Sequence, residues 1–521
     1  MEVPILVFLS LLLDLLAFTI PLPLFPRLIE GFILQEIKDG KGRQKGVKRE
    51  VGAQPNTILV FLLNQVGAFR STLLSFRSPS TPQSAPILTT AHAQDVVLLG
   101  GLMGSLFSFC QFIISPFLGR LSDRFGRKPV LLATMLGNIA SAVVWVFSTN
   151  FETYLLSRII GGLSEGNVQL SVAIISDVVS PARRARSLAL IGLAFSIAFT
   201  IGPSLGAWLS KKNFYKPSYY YLNPNFATTR MPRLPEPGRQ EYKGFSLNIY
   251  AVPALITLVL LVVETLGIAL WLPETRWTKK ETKKEDADEK KEVRTDRKTA
   301  VERRARLKVL ERQHAGFLFF FSGAEYTLTF LTFDIFNYSN VQNGMLLGFI
   351  GILSALLQGG YVRRVTKNNP EASFTLARNG ITACFLSLLL LTLLPYFSIA
   401  DEDRYQLHGQ FINPVATLLL YSSAVGLAFT SATVVNSLTS LASVQTDEED
   451  DTSVKGEDKL PRGLWLGRFR SAGQLGRALG PIVATSCYFI GGPIMCYLFT
   501  AAGVGAVWFS WERRREKIKT D

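Results

Sequence analysis

Asp14, Arg158, Glu165, Glu325 and Arg477 each stand inside a long apolar run of the chain. An ionised side chain in hydrocarbon costs at least ~2.5 kcal/mol, so it persists there only where it pairs, lines a watered cavity or carries protons. A carboxylate so placed can bind and release a proton. A guanidinium, always charged, fixes a partner or attracts an anion. The chemistry on offer is the movement of protons and ions. No nucleotide-binding loop, nucleophile–base set or zinc spacing accompanies these residues, so the sequence predicts no enzyme, no metal and no cofactor.

Depth sorts the charges. At ~1.5 Å rise per residue, Asp14 lies roughly 16 Å from the inner face and Arg158 about 10 Å from the outer face. Both approach the midplane, where they could pair, either as part of a proton cycle or as a permanent structural ion pair. Glu165 points the same way, about two helical turns along from Arg158. Glu325 and Arg477, each about 15 Å from the inner face, make a second set. Glu264 and Asp334 fall near span ends and are expected to be solvated or to snorkel.

The elements that must hold them are membrane helices. A hydrocarbon core of about 30 Å asks for roughly 20 apolar residues per crossing. Twelve runs qualify: 3–26, 96–118, 129–148, 152–177, 186–209, 248–272, 315–337, 342–362, 374–398, 412–443, 467–490 and 492–511. The shorter run 58–69, interrupted by Asn64 and Gln65, reads as an interfacial segment. The first run contains Asp14 and is followed by no small-residue cleavage site, so it reads as a retained span and not a signal peptide. The four cysteines all fall inside apolar runs and read as packing residues.

A net charge of +15 would suggest nucleic acid in a soluble protein, but here the basic residues gather in loops between spans, where they set topology. The short loops carrying Arg120 to Lys128, Arg183 to Arg186 and Arg363 to Lys367, with the tail from Arg513, predict one cytoplasmic side shared by both termini. The long 27–95 loop and the 210–247 loop, on the opposite side, are also basic; the second runs against the rule. A Lys/Glu-rich linker, 273–314, is too polar to fold on its own. It divides the chain into 1–272, a first six-helix bundle, and 315–521, a second.

One loop has more than topology in it. In GRLSDRFGRK the residues Gly119, Asp123, Arg124, Gly126, Arg127 and Lys128 resemble the signature between spans two and three of the major facilitator superfamily. The second half repeats it weakly as GGYVRR, with Arg363 in the aspartate's place. Span five, with Gly192, Gly202, Pro203 and Gly206, resembles the antiporter signature of that superfamily, and Gly480-Pro481 echoes it in span eleven. Close helix packing without antiport is the alternative use of those small residues. The spans LLLDLLAFTIPLPLFPRLIE, SRIIGGLSEGNVQLSVAIISD and FRSAGQLGRALGP look like the tetracycline-transporter-like (TETRAN) branch of drug:proton antiporters.

That resemblance implies an all-α membrane protein with twelve transmembrane helices in two pseudo-symmetric bundles. It implies a conformational latch in which Asp123 engages the start of span eleven, near 468–472, and a cavity lined by spans one, four, seven and ten. Arg158, followed by Gly162, falls where the family's span-four arginine is associated with proton coupling. The implied function is secondary transport of small amphipathic organic solutes, of drug or organic-anion type, by proton antiport. An uncoupled organic-anion facilitator and a transport-silent sensor or scaffold are the alternatives. The expected partners are a small organic solute, protons and the lipid bilayer, with no nucleic acid and a monomeric chain. The plasma membrane is the expected site, with vacuolar, endoplasmic reticulum or nuclear membranes as alternatives.

Overall fold

The computed structural model describes residues 2–21, 28, 31–32, 57–76, 91–212, 241–242, 245–246, 251–276, 300–336, 338, 340–366, 372–399, 414–446 and 460–513. Most of the 27–95 loop, nearly all of 210–247, the linker from 277 to 299, the acidic 447–459 loop and the tail beyond 513 lie outside the described residues. Apart from two paired two-residue strands, Glu241–Tyr242 and Phe245–Ser246, the regular structure described is helical.

The helices are α1 Val3–Thr19, α2 Ile58–Ser75, α3 Ala91–Phe125, α4 Arg127–Val146, α5 Phe151–Ser164, α6 Asn167–Val178 and α7 Pro181–Lys212. They continue as α8 Ala251–Trp271, α9 Ala300–Phe336, α10 Asn340–Leu356, α11 Ala372–Ile399, α12 Pro414–Gln445 and α13 Arg462–Arg513. Beyond α10 the chain passes through a π-helical stretch, Leu357–Val362, to Val365. Among the described residues nine helical stretches are long and apolar enough to cross a membrane. One of them, α13, turns at Gly492 (φ 72°) and serves as two spans. With α1 and the apolar part of α9, the twelve expected crossings are accounted for.

Local chemistry explains the boundaries. A proline in the first turn starts α1, where the missing N–H is no loss. Asn150 caps α5 by accepting the Thr153 N–H at 2.9 Å. Gly126 enters α4 at φ 100°, a region that glycine occupies without strain. The first backbone N–H groups of α4 are then met from far along the chain: Glu274 accepts from Arg127 at 2.9 Å and from Lys128 at 3.0 Å.

Four boundaries differ from expectation. The fourth span is interrupted at Glu165 and Gly166, which separate α5 from α6. Span eleven begins at Arg462, not 467. The 58–69 run is part of an eighteen-residue helix, α2, seated through Leu59, Val66 and Leu73. The last part of the charged linker is helical from Ala300, because Leu307, Leu310, Gln313 and His314 recur on one buried face and Glu311 pairs with Arg468 at 3.5 Å. Composition averaged over the linker hides that stripe.

The two halves repeat one another through glycine. In the first, α7 lies against α1: a Cβ on Gly202 would stand 1.9 Å from Thr19 Oγ1, and one on Gly206 2.0 Å from the Ile20 carbonyl oxygen. In the second, α13 lies against α9: Gly476 and Gly480 would meet the carbonyl oxygens of Ala315 and Phe319 at 2.4 and 2.1 Å. The halves join along two seams. One runs between α3 and α13, where Gly467 abuts Ser115 and Ser471 donates to the Phe112 carbonyl at 2.7 Å. The other runs from α7 to α10 and α12, where Ser196 and Ser354 hydroxyls lie 3.1 Å apart and Gly192 faces Asn436.

Candidate transport site

At the end carrying the 119–128 loop the two halves close backbone to backbone, with Gly119 against Gly463. Asp123, buried, accepts the N–H of Gly463 at 2.8 Å and of Leu464 at 2.7 Å, the first free donors of α13. The contact comes before the expected 468–472 because α13 begins earlier. Arg127 ties this aspartate to Asp177 at the end of α6, donating to both at 2.8 Å. Arg462, from the other half, bonds Asp177 at 2.5 Å and the Ser176 carbonyl at 2.8 Å. Arg184, expected in an exposed basic loop, is buried and donates across the halves to the Ser443 carbonyl at 3.3 Å. Arg124 and Lys128 take no part in the closure: Arg124 stacks over Phe125, and Lys128 donates to the Ala269 carbonyl at 2.8 Å within its own half.

Deeper in the first half, Asp14 is buried beside Asn167, with Glu165 and Glu264 as its charged neighbours. Arg158 is placed elsewhere, its guanidinium over the rings of Trp145 at 5.7 Å and Tyr154 at 5.5 Å. The Asp14–Arg158 pair that depth allowed is not among the described contacts: Arg158 precedes the break in the fourth span and Asp14 meets the segment that follows it. Glu165 occupies the break, accepts weakly from Asn138 Nδ2 at 3.4 Å, and faces the charge of Arg470 on α13. Glu264, expected to be solvated, is 2 % exposed and accepts from Ser10 Oγ at 2.8 Å. Asp334, likewise expected in solvent, accepts from Tyr488 Oη at 2.6 Å.

The second half contributes cations. Arg470 and Arg477 are two turns apart on one face of α13. With its amide turned to satisfy both neighbours, Gln474 accepts from Arg470 Nε and Nη2 at 3.1 Å and donates to Gln111 of α3 at 3.0 Å. Among the described ion pairs, none involves Arg470, Arg477, Glu165 or Glu325. Glu325 is exposed on α9, within the field of Arg477 but not in contact with it. Beside them His314 is buried, its ring stacked on Phe469 at 4.2 Å and its Nδ1 without a hydrogen bond.

The sequence profile of the Major Facilitator Superfamily matches residues 80–449. The chain is 32% identical over 506 residues to mouse (Mus musculus) major facilitator superfamily domain-containing protein 10, covering 96% of this chain and 90% of that one. The chain belongs to the major facilitator superfamily. It is also 34% identical over 117 residues to the class H tetracycline resistance protein of Pasteurella multocida, 22% of this chain and 29% of that protein. The crystal structure of the human organic anion transporter MFSD10 (TETRAN) superposes with a TM-score of 0.68 at 28% identity, covering 98% of both chains. Members of the superfamily are transporters and not enzymes, and the protein is accordingly an integral multi-pass membrane transporter.

Four residues of this major facilitator site escape sequence reading. Arg470, Glu264 and Asp177 fall near span ends by counting and Glu274 in the linker, and only the fold brings them to the groups they serve. One signal was available for Glu274: it follows a proline directly after a span and precedes Arg276, whose N–H it accepts at 3.0 Å. The buried Ser10–Glu264 bond gives a test of that corner. Ser10→Ala is expected to lower stability by about 1–3 kcal/mol, since a buried acceptor loses its donor. A thermal midpoint in detergent equal to that of the wild type would mean that the bond contributes nothing.

Proposed function

We propose that the protein is a secondary active transporter of small amphipathic organic solutes, of drug or organic-anion type, that works by alternating access and proton antiport. The observation that carries this reading is the opposition of charge across the joint between the halves. Asp14, Glu165 and Glu264 stand in one half, and Arg470 and Arg477 in the other, at a depth where neither set can be left ionised without a purpose. Discontinuous helices near such a site are a recurrent feature of transporters, and the break at Glu165 supplies one. The relatives support the solute class by their names: a tetracycline resistance protein, a multidrug transporter of Aspergillus fumigatus and a human organic anion transporter.

In this reading Asp123, with Gly119, Gly126 and Arg127, latches one end shut. The basic loops face the cytoplasm, as do both termini and the linker, so the latched conformation opens outward. Asp14, Glu165 and Glu325 load and release protons, and Arg158 ties Tyr154 of its own span to Trp145 of the third. Gly202-Pro203 and Gly480-Pro481 let the two halves flex where α7 and α13 press on α1 and α9. One chain encloses the whole site, which suits a monomer in the plasma membrane. Uncoupled transport of organic anions is the second reading, favoured by the absence of a described ion-pair contact on Arg470 and Arg477.

Reconstituted into liposomes, the protein is expected to accumulate a labelled organic solute uphill when a pH gradient is imposed. Uptake indifferent to the gradient would favour the facilitator, and no uptake at all would leave only the silent scaffold. Topology has its own test: a single cysteine placed at Asp288 in a cysteine-free background is expected to resist impermeant reagents applied outside intact cells. Labelling there would invert the orientation.

A further inference from the structure

We propose that Arg470 exchanges partners during transport: the carboxylate of an anionic solute takes it over from Glu165, and Glu165, released, takes up a proton. An anionic solute then moves together with a proton, whereas a cationic solute, which would rest against the Glu165 carboxylate, moves against one. The proposal rests on the proton-coupled, alternating-access reading above; it keeps antiport for cationic solutes and replaces it by symport for anionic ones.

Packing brings the two positions to the same stretch of α3 on the seam, where the charge of Arg470 reaches Glu165. Gly162, one turn before Glu165, packs on Cys110 and Phe107 of α3, where an added Cβ would lie 2.7 Å from the Cys110 Cβ. The next residue of α3, Gln111, bonds Gln474, and Gln474 holds Arg470 by Nε and Nη2. Those bonds secure one edge of the guanidinium and leave its other N–H groups with no partner among the described residues. On the opposite side Glu165 belongs to neither α5 nor α6, and its backbone (φ −74°, ψ 92°) is extended. Its only described hydrogen bond is the long one from Asn138. A carboxylate on a helix break with one weak bond can turn away; a guanidinium held along one edge stays.

Electroneutrality supplies the coupling. With Glu165 ionised and facing Arg470, the pair is neutral. When a solute carboxylate reaches Arg470, an ionised Glu165 would leave one negative charge over in a medium that solvates it poorly. A proton from the water of the open cavity binds a Glu165 oxygen, the O–H bond forms, and neutrality returns. On the far side the solute leaves, the proton returns to water and the carboxylate faces Arg470 again. The other charged and titratable groups bias both steps. Asp14 of α1 and Glu264 of α8 disfavour a second negative charge beside them, while Arg477 of α13 adds to the pull on the solute, with His314 of α9 next to both arginines.

The test uses the full chain in liposomes, with radiolabelled p-aminohippurate as an aryl carboxylate probe and pyranine trapped inside to read pH. Wild-type uptake is expected to acidify the lumen by about one proton per anion. Glu165→Gln is expected to keep at least a third of the downhill uptake, to lose the acidification and to lose the dependence of uptake on external pH. Arg470→Gln is expected to cut uptake at least tenfold, with partial return in Arg470→Lys as evidence of a folded protein. Acidification that persists in Glu165→Gln would overturn the exchange and leave the transport reading standing. Absence of wild-type uptake would overturn the organic-anion reading itself, and the exchange with it; wild-type uptake that alkalinises the lumen would reverse the sign and overturn the exchange alone.

Discussion

Gly119→Leu is expected to hold the two halves apart at the end where Gly119 meets Gly463 and to cut turnover at least tenfold. Even the Cβ of any side chain there would stand 2.1 Å from the Gly463 carbonyl oxygen and 2.7 Å from its carbon. Both are backbone atoms at the start of α13, and backbone cannot step aside as a flexible side chain does. The approach is reciprocal, since a Cβ on Gly463 would meet the Gly119 oxygen at 2.4 Å. Asp123→Asn acts on the same closure more gently. The carboxylate makes two charge-assisted bonds to backbone N–H groups, each worth about 1.5–3 kcal/mol. Asparagine keeps one acceptor and loses the charge, so the closed state should be weakened by about 1.4 kcal/mol or more, a tenfold shift in its population. Both variants are expected to bind solute normally, because neither position reaches the interior charges. Turnover and equilibrium binding, measured at matched surface expression, separate the effects. Wild-type turnover in the two variants would mean that closure at this end does not limit the cycle.

The closure around Asp123 was legible because its parts are contiguous. Two glycines, an aspartate and four cations within ten residues between two spans leave few other purposes, and the structure needed only to say which backbone donors Asp123 would find. Span number and the internal repeat were legible for a similar reason, as apolar length and Gly-Pro spacing are local. The interior site was half legible. Asp14, Glu165, Glu325 and Arg477 are conspicuous charges in apolar runs, so counting residues finds them. Their partners depend on which faces of different helices meet, and depth alone does not give that. Asp14 and Arg158 share a level at which they could pair, yet Arg158 stacks on Trp145 and Tyr154 while Asp14 has Glu165, Glu264 and Asn167 as its neighbours. Glu264 was mistaken for a boundary residue because α8 reads as a uniformly apolar span. Its depth matters less than Ser10, which comes from the other end of the bundle's sequence to bond it. Linker residues 300–314 hid a buried stripe under a composition dominated by Lys, Arg and Glu.

Glu325→Gln is expected to abolish uphill accumulation driven by a pH gradient while downhill exchange of solute continues. The argument starts from the face of α9 that carries the residue. Gly323 packs on Ala484 and Gly480 of α13, and Tyr326 reaches Gly101 of α3, across the seam. Glu325 is exposed and, at ~100° per residue, lies on the side of α9 turned away from Gly323, within the field of Arg477 on α13. Arg477 acts on it from a distance without an ion pair. A carboxylate so placed is costly when charged and tolerable when neutral, which lets proton binding change the energy of each conformation. Glutamine matches its shape and hydrogen bonding but has no proton to give, so the solute path should survive and the drive should not. Uptake driven by a pH gradient, set beside counterflow without one, reads the two separately. Should the glutamine variant retain gradient-driven accumulation, the proton path would run through the first half alone, and Asp14, buried beside Glu165 and Glu264, would become the residue to replace next.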